Sequence, residues 1–517
     1  MTDPTTNPGP RLWPLYLIGS STVVALLWIW IHEFSQRQWQ VLGFMSTAII
    51  SILLTFFWLL FLSRIRWRSR LYCFGGAMLA IALCVGLFRY QGLSGDFVPI
   101  LVWRWTSSSV TTAVEGGAPT PIDARDWNQF WGAERTNQLR GVRLNRDWDQ
   151  YPPREIWRRP IGAGWSSFAI VGGRALTQEQ HDSEEQVVCY DLATGRKLWS
   201  HADSTRFESG MGGIGPRATP TIDGGQVFAL GATGLLNCLD LESGQVLWSR
   251  DIVRDNDAKV PMFGLSGSPL VLDSLVVVSA GGADNRSLVA YHRQSGEFVW
   301  GGGTDQVGYS SPQKVQLAGR EQILIFNERD NGIAAHDPQS GALLWYQPWA
   351  HKAVQCVANP LALPGDRVLA STGYGGGAEL YQVRATPEGD LNTEILWQSK
   401  HLKAKFANMV YRDGFVYGLD DGIMVCLDLA TGKRRWKRGR YGHGQLILVD
   451  DILLVMSEKG EVVLVEATPE HHRELARMSV FEDKTWNPPA LATPYLLLRT
   501  DREAACYELP LADANQP

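Results

Sequence analysis

The hydrophobic pattern divides the chain in two. Over the first ninety or so residues, apolar side chains come in three long blocks, about Leu12–Ile31, Val41–Leu62 and Leu71–Phe88. Each is close to the length a helix needs to cross roughly 30 Å of hydrocarbon. From about residue 150 the pattern changes to short runs in which apolar and polar positions alternate, the period of half-buried strands. These runs are arranged around one recurring turn. Cys189-Tyr-Asp-Leu-Ala-Thr-Gly-Arg-Lys-Leu-Trp199 returns as Cys238-Leu-Asp-Leu-Glu-Ser-Gly-Gln-Val-Leu-Trp248, and again at Ala290–Trp300, Ala335–Trp345 and Cys426–Trp436. The frame is small-x-Asp-x-x-Thr/Ser-Gly-x-x-x-Trp, repeated roughly every 40–50 residues, the spacing of propeller blades.

Each position of the frame has a mechanical role. Asp191, Asp240, Asp337 and Asp428 are placed to accept hydrogen bonds from backbone N–H groups of the turn that follows. Gly195, Gly244, Gly296, Gly341 and Gly432 suit a position with φ > 0. The Trp opens the return strand and offers a large apolar plate to a neighbouring sheet. The Cys or Ala ten residues earlier is expected to receive a Trp from the next repeat.

This frame resembles the tryptophan-docking repeat of propellers related to pyrroloquinoline quinone (PQQ) dehydrogenases. It is also similar to that of the propeller lipoprotein of the bacterial outer-membrane assembly machinery. The resemblance covers residues 150–510 and implies an all-β fold, a β-propeller. Return strands at Trp157, Trp199, Trp248, Trp300, Trp345, Trp397 and Trp436, plus a degenerate one with Arg477 near the Trp position, give eight blades; seven is the alternative if a degenerate unit is misread. The last strands, Tyr495–Thr500 and Ala504–Leu509, have no return strand after them, so Ile156–Ile161 from the beginning is expected to close the ring.

The arginines of Ser63-Arg-Ile-Arg-Trp-Arg-Ser-Arg70 orient the apolar blocks. The positive-inside rule assigns that loop to the cytoplasm, the N-terminus with it, and everything after Phe88 to the outside. Trp28, Trp30, Trp58, Trp67, Trp103 and Trp105 fall where interfacial anchors are expected. The organisation read from the sequence is a disordered tail (1–10), a three-helix transmembrane region (11–92), an interfacial segment and flexible linker (93–121), a lead-in (122–152) and the propeller (153–511). The lead-in carries Trp127-Asn-Gln-Phe-Trp-Gly132 and is expected to brace one face of the ring. This places the protein in a bacterial cytoplasmic membrane, multi-pass, with the propeller in the periplasm where the cell has two membranes and outside otherwise. No lipobox cysteine stands near the N-terminus, a departure from the lipoprotein pattern.

Composition changes little. A net charge of −5 over 517 residues carries no nucleic-acid signal. Cys189, Cys238, Cys426 and Cys506 share one buried slot, which predicts separate free thiols; the adjacent cysteine pair of many PQQ alcohol dehydrogenases is absent.

In this architecture ligands are expected on the axis, at residues opening the innermost strands. Those openings present Trp165, Arg217, Tyr309, Gln355, Lys405, Asn408, His443, Trp486 and Asn487, a mix of aromatic plates, cations and amides suited to a planar anionic quinone. The competing reading is that their Ser, Thr and Asn neighbours satisfy backbone groups where strands begin. A dehydrogenase of the resembled kind also needs Ca²⁺ on oxygen ligands and a catalytic Asp. The nearest acids, Glu179, Asp305, Glu328, Asp420 and Asp421, match no family motif, and His181, His201 and His292 lack metal-ligand spacing. No catalytic or metal residue is therefore assigned. Two functions remain: a non-enzymatic envelope scaffold binding envelope proteins or a small axial ligand, and a membrane-bound PQQ- and Ca²⁺-dependent dehydrogenase of an alcohol or sugar.

Overall fold

The computed structural model describes residues 11–32, 34, 37–105, 115–304, 306–327, 332–349 and 355–512. The tail 1–10 and residues 106–114 of the linker lie outside these. The chain forms two compact units, Met1–Ser107 and Ser108–Pro517.

In the first unit, α1 (Trp13–Ile31), α2 (Arg37–Phe57, continued by a wider turn over Trp58–Leu62) and α3 (Trp67–Leu87) are each long and apolar enough to cross a membrane. Thr22 and Ser51 meet hydroxyl to hydroxyl at 2.6 Å between α1 and α2. Polar contacts sort the ends. The Arg11 N–H donates to Ser63 O at 3.1 Å and the Trp58 indole to Arg11 O at 2.8 Å, so the chain start lies beside the arginine loop. At the other end the Gln38 amide donates to Gly95 O at 3.0 Å and Arg37 pairs with Asp96 at 2.9 Å. That joins the start of α2 to a hairpin of Phe88–Leu93 and Pro99–Trp103, which the sequence reading did not resolve. Two groups of loops at opposite ends are what three consecutive crossings require.

The second unit is a β-propeller. Among the described residues are eight antiparallel sheets of at least four strands each, ordered as the chain runs. The first comprises Ala169–Val171, Arg174–His181, Glu184–Asp191 and Lys197–Asp203. Five more follow within 221–251, 270–302, 313–348, 361–399 and 410–440. The seventh takes Gln138–Leu139 as a fifth, parallel strand. The eighth takes its outermost strand, Arg154–Pro160, from the start of the domain, with Trp157 opposite Cys506, as the unpartnered last strands implied. Buried Arg499 stitches this seam, donating to Gln178 O (2.9 Å), Gly162 O (3.1 Å) and Gly164 O (3.3 Å).

The turn chemistry follows the frame. Asp191 Oδ1 accepts from the N–H groups of Ala193 (3.0 Å) and Thr194 (2.9 Å), and Asp240, Asp337 and Asp428 repeat the arrangement. The docking direction differs from expectation. The small residue lies opposite the Trp of its own sheet, as in Cys189–Trp199 and Cys238–Trp248. The ring instead covers the turn glycine of the following sheet: a Cβ on Gly195, Gly244 or Gly341 would lie 2.7, 2.4 or 2.4 Å from Trp157, Trp199 or Trp300. The indole N–H then reaches the carbonyl after the frame's Asp: Trp157 to Leu192 (2.8 Å), Trp199 to Leu241 (3.0 Å), Trp248 to Arg293 (2.8 Å). The fifth repeat lacks the turn, and Trp345 donates back to Gln322 of its own sheet at 2.7 Å. In the seventh sheet the register puts Ala476, not Arg477, opposite Leu464; Arg477 pairs with Glu461 and Glu474 instead. All seven cysteines are free, and burial raises the thiols of Cys189, Cys238, Cys426 and Cys506.

The lead-in crosses the end of the sheets where these turns lie. Trp127 bridges Ile170, Asn128 bonds Ile222, and the buried Arg135 guanidinium donates to Pro269 O (2.8 Å) and Ser268 O (3.0 Å). The linker is docked from residue 115: Glu115 N–H donates to Lys197 O (3.0 Å), and Thr120 donates twice to Asp191 Oδ2. The second carboxylate oxygen of the first turn thus fixes a stretch whose composition reads as flexible.

The tryptophan contacts are separable. The Trp300 indole nitrogen is buried without a hydrogen-bond partner among the described residues, whereas that of Trp248 is bonded. Trp248→Phe should therefore cost about 1 kcal/mol more than Trp300→Phe. Thermal melts of the two full-length variants compare them directly, and equal losses would show that the indole hydrogen bond contributes nothing.

Candidate functional site at the mouth of the propeller

Where the innermost strands begin, a belt of side-chain hydrogen bonds runs through all eight sheets. Ser167 N–H donates to Thr219 Oγ1 (3.1 Å), Thr219 N–H to Ser268 Oγ (2.9 Å), and Ser268 N–H to Ser311 Oγ (2.9 Å). Ser311 N–H donates to Asn359 Oδ1 (3.0 Å) and Asn359 N–H to Asn408 Oδ1 (3.4 Å). Asn408 passes to Gln445 (3.4 Å), Gln445 to Trp486 O (3.3 Å), and Asn487 closes the circuit on Ser166 O (2.9 Å) and Gly164 O (3.1 Å). Apart from Asn408–Gln445, which joins two side chains, each bond satisfies a backbone group where a strand starts. Two of the expected ligand residues, Asn408 and Asn487, are members of this belt.

Beside the belt the other candidates form a second circuit, of rings and cations. Trp165 and Trp486 lie 5.0 Å apart, Trp486 and Phe406 5.0 Å, and Phe406 and His443 5.0 Å. Lys484 Nζ sits 3.8 Å from the Trp486 centroid and 5.0 Å from that of Trp165. Lys405 Nζ lies 4.7 Å from the Tyr374 ring and 5.9 Å from Phe406. On the other side the Trp165 indole and Arg217 both donate to Gly212 O (2.7 and 3.1 Å). The Arg217 guanidinium covers Phe207 at 4.6 Å, and Tyr309 packs on Phe263 at 5.7 Å. Six of the nine candidates (Trp165, Arg217, Tyr309, Lys405, His443 and Trp486) thus line one mouth, and Gln355 joins neither circuit through the contacts described. The sequence reading missed Phe207, Phe263, Tyr374, Phe406 and Lys484. Four stand in connections between sheets and Tyr374 in the Gly-rich turn between two strands of the fifth sheet, where no periodic frame marks them; for Phe406 and Lys484, closeness to a strand opening was the available signal.

Burial shapes the charges. It lowers Arg217 to about 10 against the opposing pull of Glu185 and Tyr309, and lowers Lys484 despite Asp501 and Glu458. Glu185 is pushed up to about 7 by burial, with Ala232 N–H (3.1 Å) and Arg217 opposing. Asp421 is raised by burial against Lys403. The remaining acids are engaged. Glu179 accepts from Gly162 N–H (2.8 Å), Tyr190 OH (2.7 Å) and His181 (2.8 Å), and Asp420 holds Lys403 and Lys437. Glu458 takes the Trp486 indole (2.8 Å) and His443 N–H (3.1 Å). Asp305 and Glu328 lie outside the described residues.

Comparison with known proteins bears on the frame that builds this mouth. A family profile described as "Outer membrane protein assembly factor BamB" matches residues 154–438. The chain belongs to that PQQ-like repeat family. BamB of Bordetella pertussis is 22% identical over 408 residues, 77% of this chain and 95% of the relative. The crystal structure of BamB from Moraxella catarrhalis superimposes with TM-score 0.51 at 15% identity, covering 69% of this chain and 99% of that one. The quinohemoprotein alcohol dehydrogenase of Comamonas testosteroni gives TM-score 0.52 at 13% identity, covering 77% and 82%. At these identities the structural likeness concerns the fold. The BamB family match begins at the clasp strand and ends in the sixth sheet, so the lead-in and the three-helix unit lie outside it.

The quinone–calcium pair fits this BamB-family mouth only in part. The aromatic plates with Arg217, Lys405 and Lys484 suit a planar anion. Among the described residues no three His, Cys, Asp or Glu side chains gather in one place, and no Ca²⁺ ligand is assigned here.

Two outcomes test this division of labour. Asn408→Ala should lower stability by about 1–2 kcal/mol because it strands the Asn359 N–H; an unchanged melting temperature would remove Asn408 from the belt. Glu185 binds its proton up to about pH 7 in the fold against an ordinary 4.5, so stability is lost as pH rises from 4.5 through 7. Glu185→Gln should stabilise the protein at pH 8 by up to roughly 3 kcal/mol and change little at pH 4, read from melts at both values.

Proposed function

We propose that the protein is a membrane-anchored, extracytoplasmic, eight-bladed propeller that acts as a non-enzymatic scaffold or binding protein in the bacterial envelope. The observation that carries the reading is the asymmetry of the ring. At one end the lead-in is bonded to the innermost strands through Trp127 and Asn128, and its Arg135 reaches in as far as the belt at Ser268 O, while the strand openings on the other side of the belt carry the aromatic and cationic mouth. Beside the mouth the connections 204–217 and 252–269 expose Met211, Val260 and Met262, apolar side chains of the kind that bind partners. Membership of the BamB family supports envelope proteins as those partners, since relatives are named as outer membrane protein assembly factors. The belt through eight sheets supports the blade count. The three apolar helices, with loop ends sorted by Arg11–Ser63 and Gln38–Gly95, support a multi-pass anchor in the cytoplasmic membrane with the arginine loop inside.

The dehydrogenase reading keeps one favourable observation, the cations and ring faces that suit a planar quinone. It also asks for a Ca²⁺ site, and the described residues hold no group of three or more His, Cys, Asp or Glu to favour one.

Alkaline phosphatase fused after Trp105 should be active and after Arg66 inactive; the reverse pattern would invert the anchor. PQQ added to the detergent-solubilised full chain should give no Ca²⁺-dependent quenching of Trp165 and Trp486, and crosslinking in cells should join the propeller to envelope proteins. Saturable quenching that requires Ca²⁺ would replace the scaffold reading with the oxidoreductase.

A further inference from the structure

The outer strands of four successive sheets carry apolar side chains that face solvent just before the frame's Trp, a pair in three of them and one in the other. They are Val246 and Leu247 in the second, Phe298 and Val299 in the third, Leu343 in the fourth, and Ile395 and Leu396 in the fifth, each 42–53% exposed. A folded β-rim gains nothing from such residues in water, and outer edge strands are usually protected by charge. Elsewhere on the rim the same positions hold Arg434 and Arg435 in the sixth sheet, Glu474 with half-buried Leu475 in the seventh, and Glu155 with half-buried Ile156 in the eighth. Repetition alone therefore does not demand two exposed apolar residues, and the sheets that carry them are neighbours in the ring, forming a band of four.

The first sheet shows what the band adjoins. Its equivalent residues are Lys197 and Leu198, and there the chain arriving from the three-helix unit docks, with Glu115 and Gly116 N–H groups on Lys197 O. Leu198 is 5% exposed where Leu247 is 50%. The turns of this row lie at the covered end of the ring: Leu192 N–H meets Gly173 O at 2.8 Å, joining both turns of the first sheet beside the lead-in. Only residues 106–114 separate this docked stretch from Trp105. Ten Cα–Cα steps reach at most roughly 35 Å, so an anchored propeller stays within that distance of the bilayer at high effective concentration.

We infer that the apolar band on the outer strands of the second to fifth sheets rests against the phospholipid bilayer that the tether leaves. The inference depends on the anchoring reading above. The contact is apolar: of the exposed acids beside these side chains, Glu242 and Glu394 are paired with Arg174 and Arg384, so the aliphatic and aromatic groups rather than a net charge carry it. The surface it fits is a zwitterionic one, entered by Val, Leu, Ile and Phe side chains to the headgroup boundary.

The test uses the full chain with its two exposed thiols removed (Cys73→Ala, Cys84→Ala), since the other five cysteines are buried. Leu247→Cys, Val299→Cys or, as a control, Arg435→Cys is labelled with an environment-sensitive fluorophore. The protein is reconstituted in phosphatidylcholine vesicles carrying a shallow nitroxide quencher. Labels at 247 and 299 should be blue-shifted and quenched about threefold more than the label at 435. Added anionic lipid or 1 M salt, concentrations at which charge contacts are screened, should not strengthen or abolish the difference. Equal water exposure at all three sites overturns the inference. So does a difference that fades as protein is diluted in lipid, which would mark a second copy as the occupant. Carbonate extraction of the chain from membranes separates the cases: release would overturn the anchoring reading itself, whereas a retained chain with water-exposed labels overturns only the bilayer contact.

Discussion

The fold depends on an indole lying flat on the next repeat's glycine. With φ near +70° and a Trp ring 2.4–2.7 Å from where a Cβ would sit, Gly195, Gly244, Gly296, Gly341 and Gly432 are fixed twice over. The contact joins sheets that share no ladder hydrogen bonds, and the indole N–H adds directionality by seeking one carbonyl of the neighbour. Truncating such a ring would forfeit about 3–5 kcal/mol, which explains why seams without it are held by other means. Trp345 turns inward to Gln322 and the seventh sheet gains a strand from the lead-in, whereas the closing seam has both its ring, Trp157 on Gly195, and the ties of Arg499.

The part of this that repeats was legible in the sequence, because a geometry imposed at every seam leaves the same residues at every seam. The strand pairs, the Asp-capped turns and the clasp at Trp157 all follow from the frame. Periodicity did not reveal which side of a sheet the ring would cover. Cys189 and Gly195 recur together, and only the register, with Cys189 opposite Trp199, distinguishes the Trp of the same sheet from that of its neighbour.

The same logic sorts the mouth. Thr219, Ser268, Ser311, Asn359 and Asn408 occupy one slot in successive sheets and bond one another's backbones, so their recurrence marks scaffold. Trp165, Arg217, Lys405 and Trp486 have no such counterparts, and it is they that gather into the ring of aromatic faces and cations. Lys484, Phe406 and Phe263 were invisible because nothing local distinguishes a lysine or phenylalanine in a connection from a solvated one. Their meaning lies in contacts with residues up to some three hundred positions away. Glu185 is a comparable case: its carboxyl is made a weak acid by burial against the second sheet, which no window of sequence around residue 185 contains.

The ring has two unlike ends. The linker joins the propeller through Thr120 and Asp191, at the end that the lead-in crosses, and the mouth with Trp486 and Lys484 lies where the innermost strands begin, at the other. The first turn serves twice, capping its own hairpin through Asp191 Oδ1 and holding the arriving chain through Oδ2. The belt of Ser, Thr and Asn meanwhile satisfies the backbone where the innermost strands begin. The two ends differ because the repeated residues serve the frame, and the unrepeated ones are left to furnish the mouth.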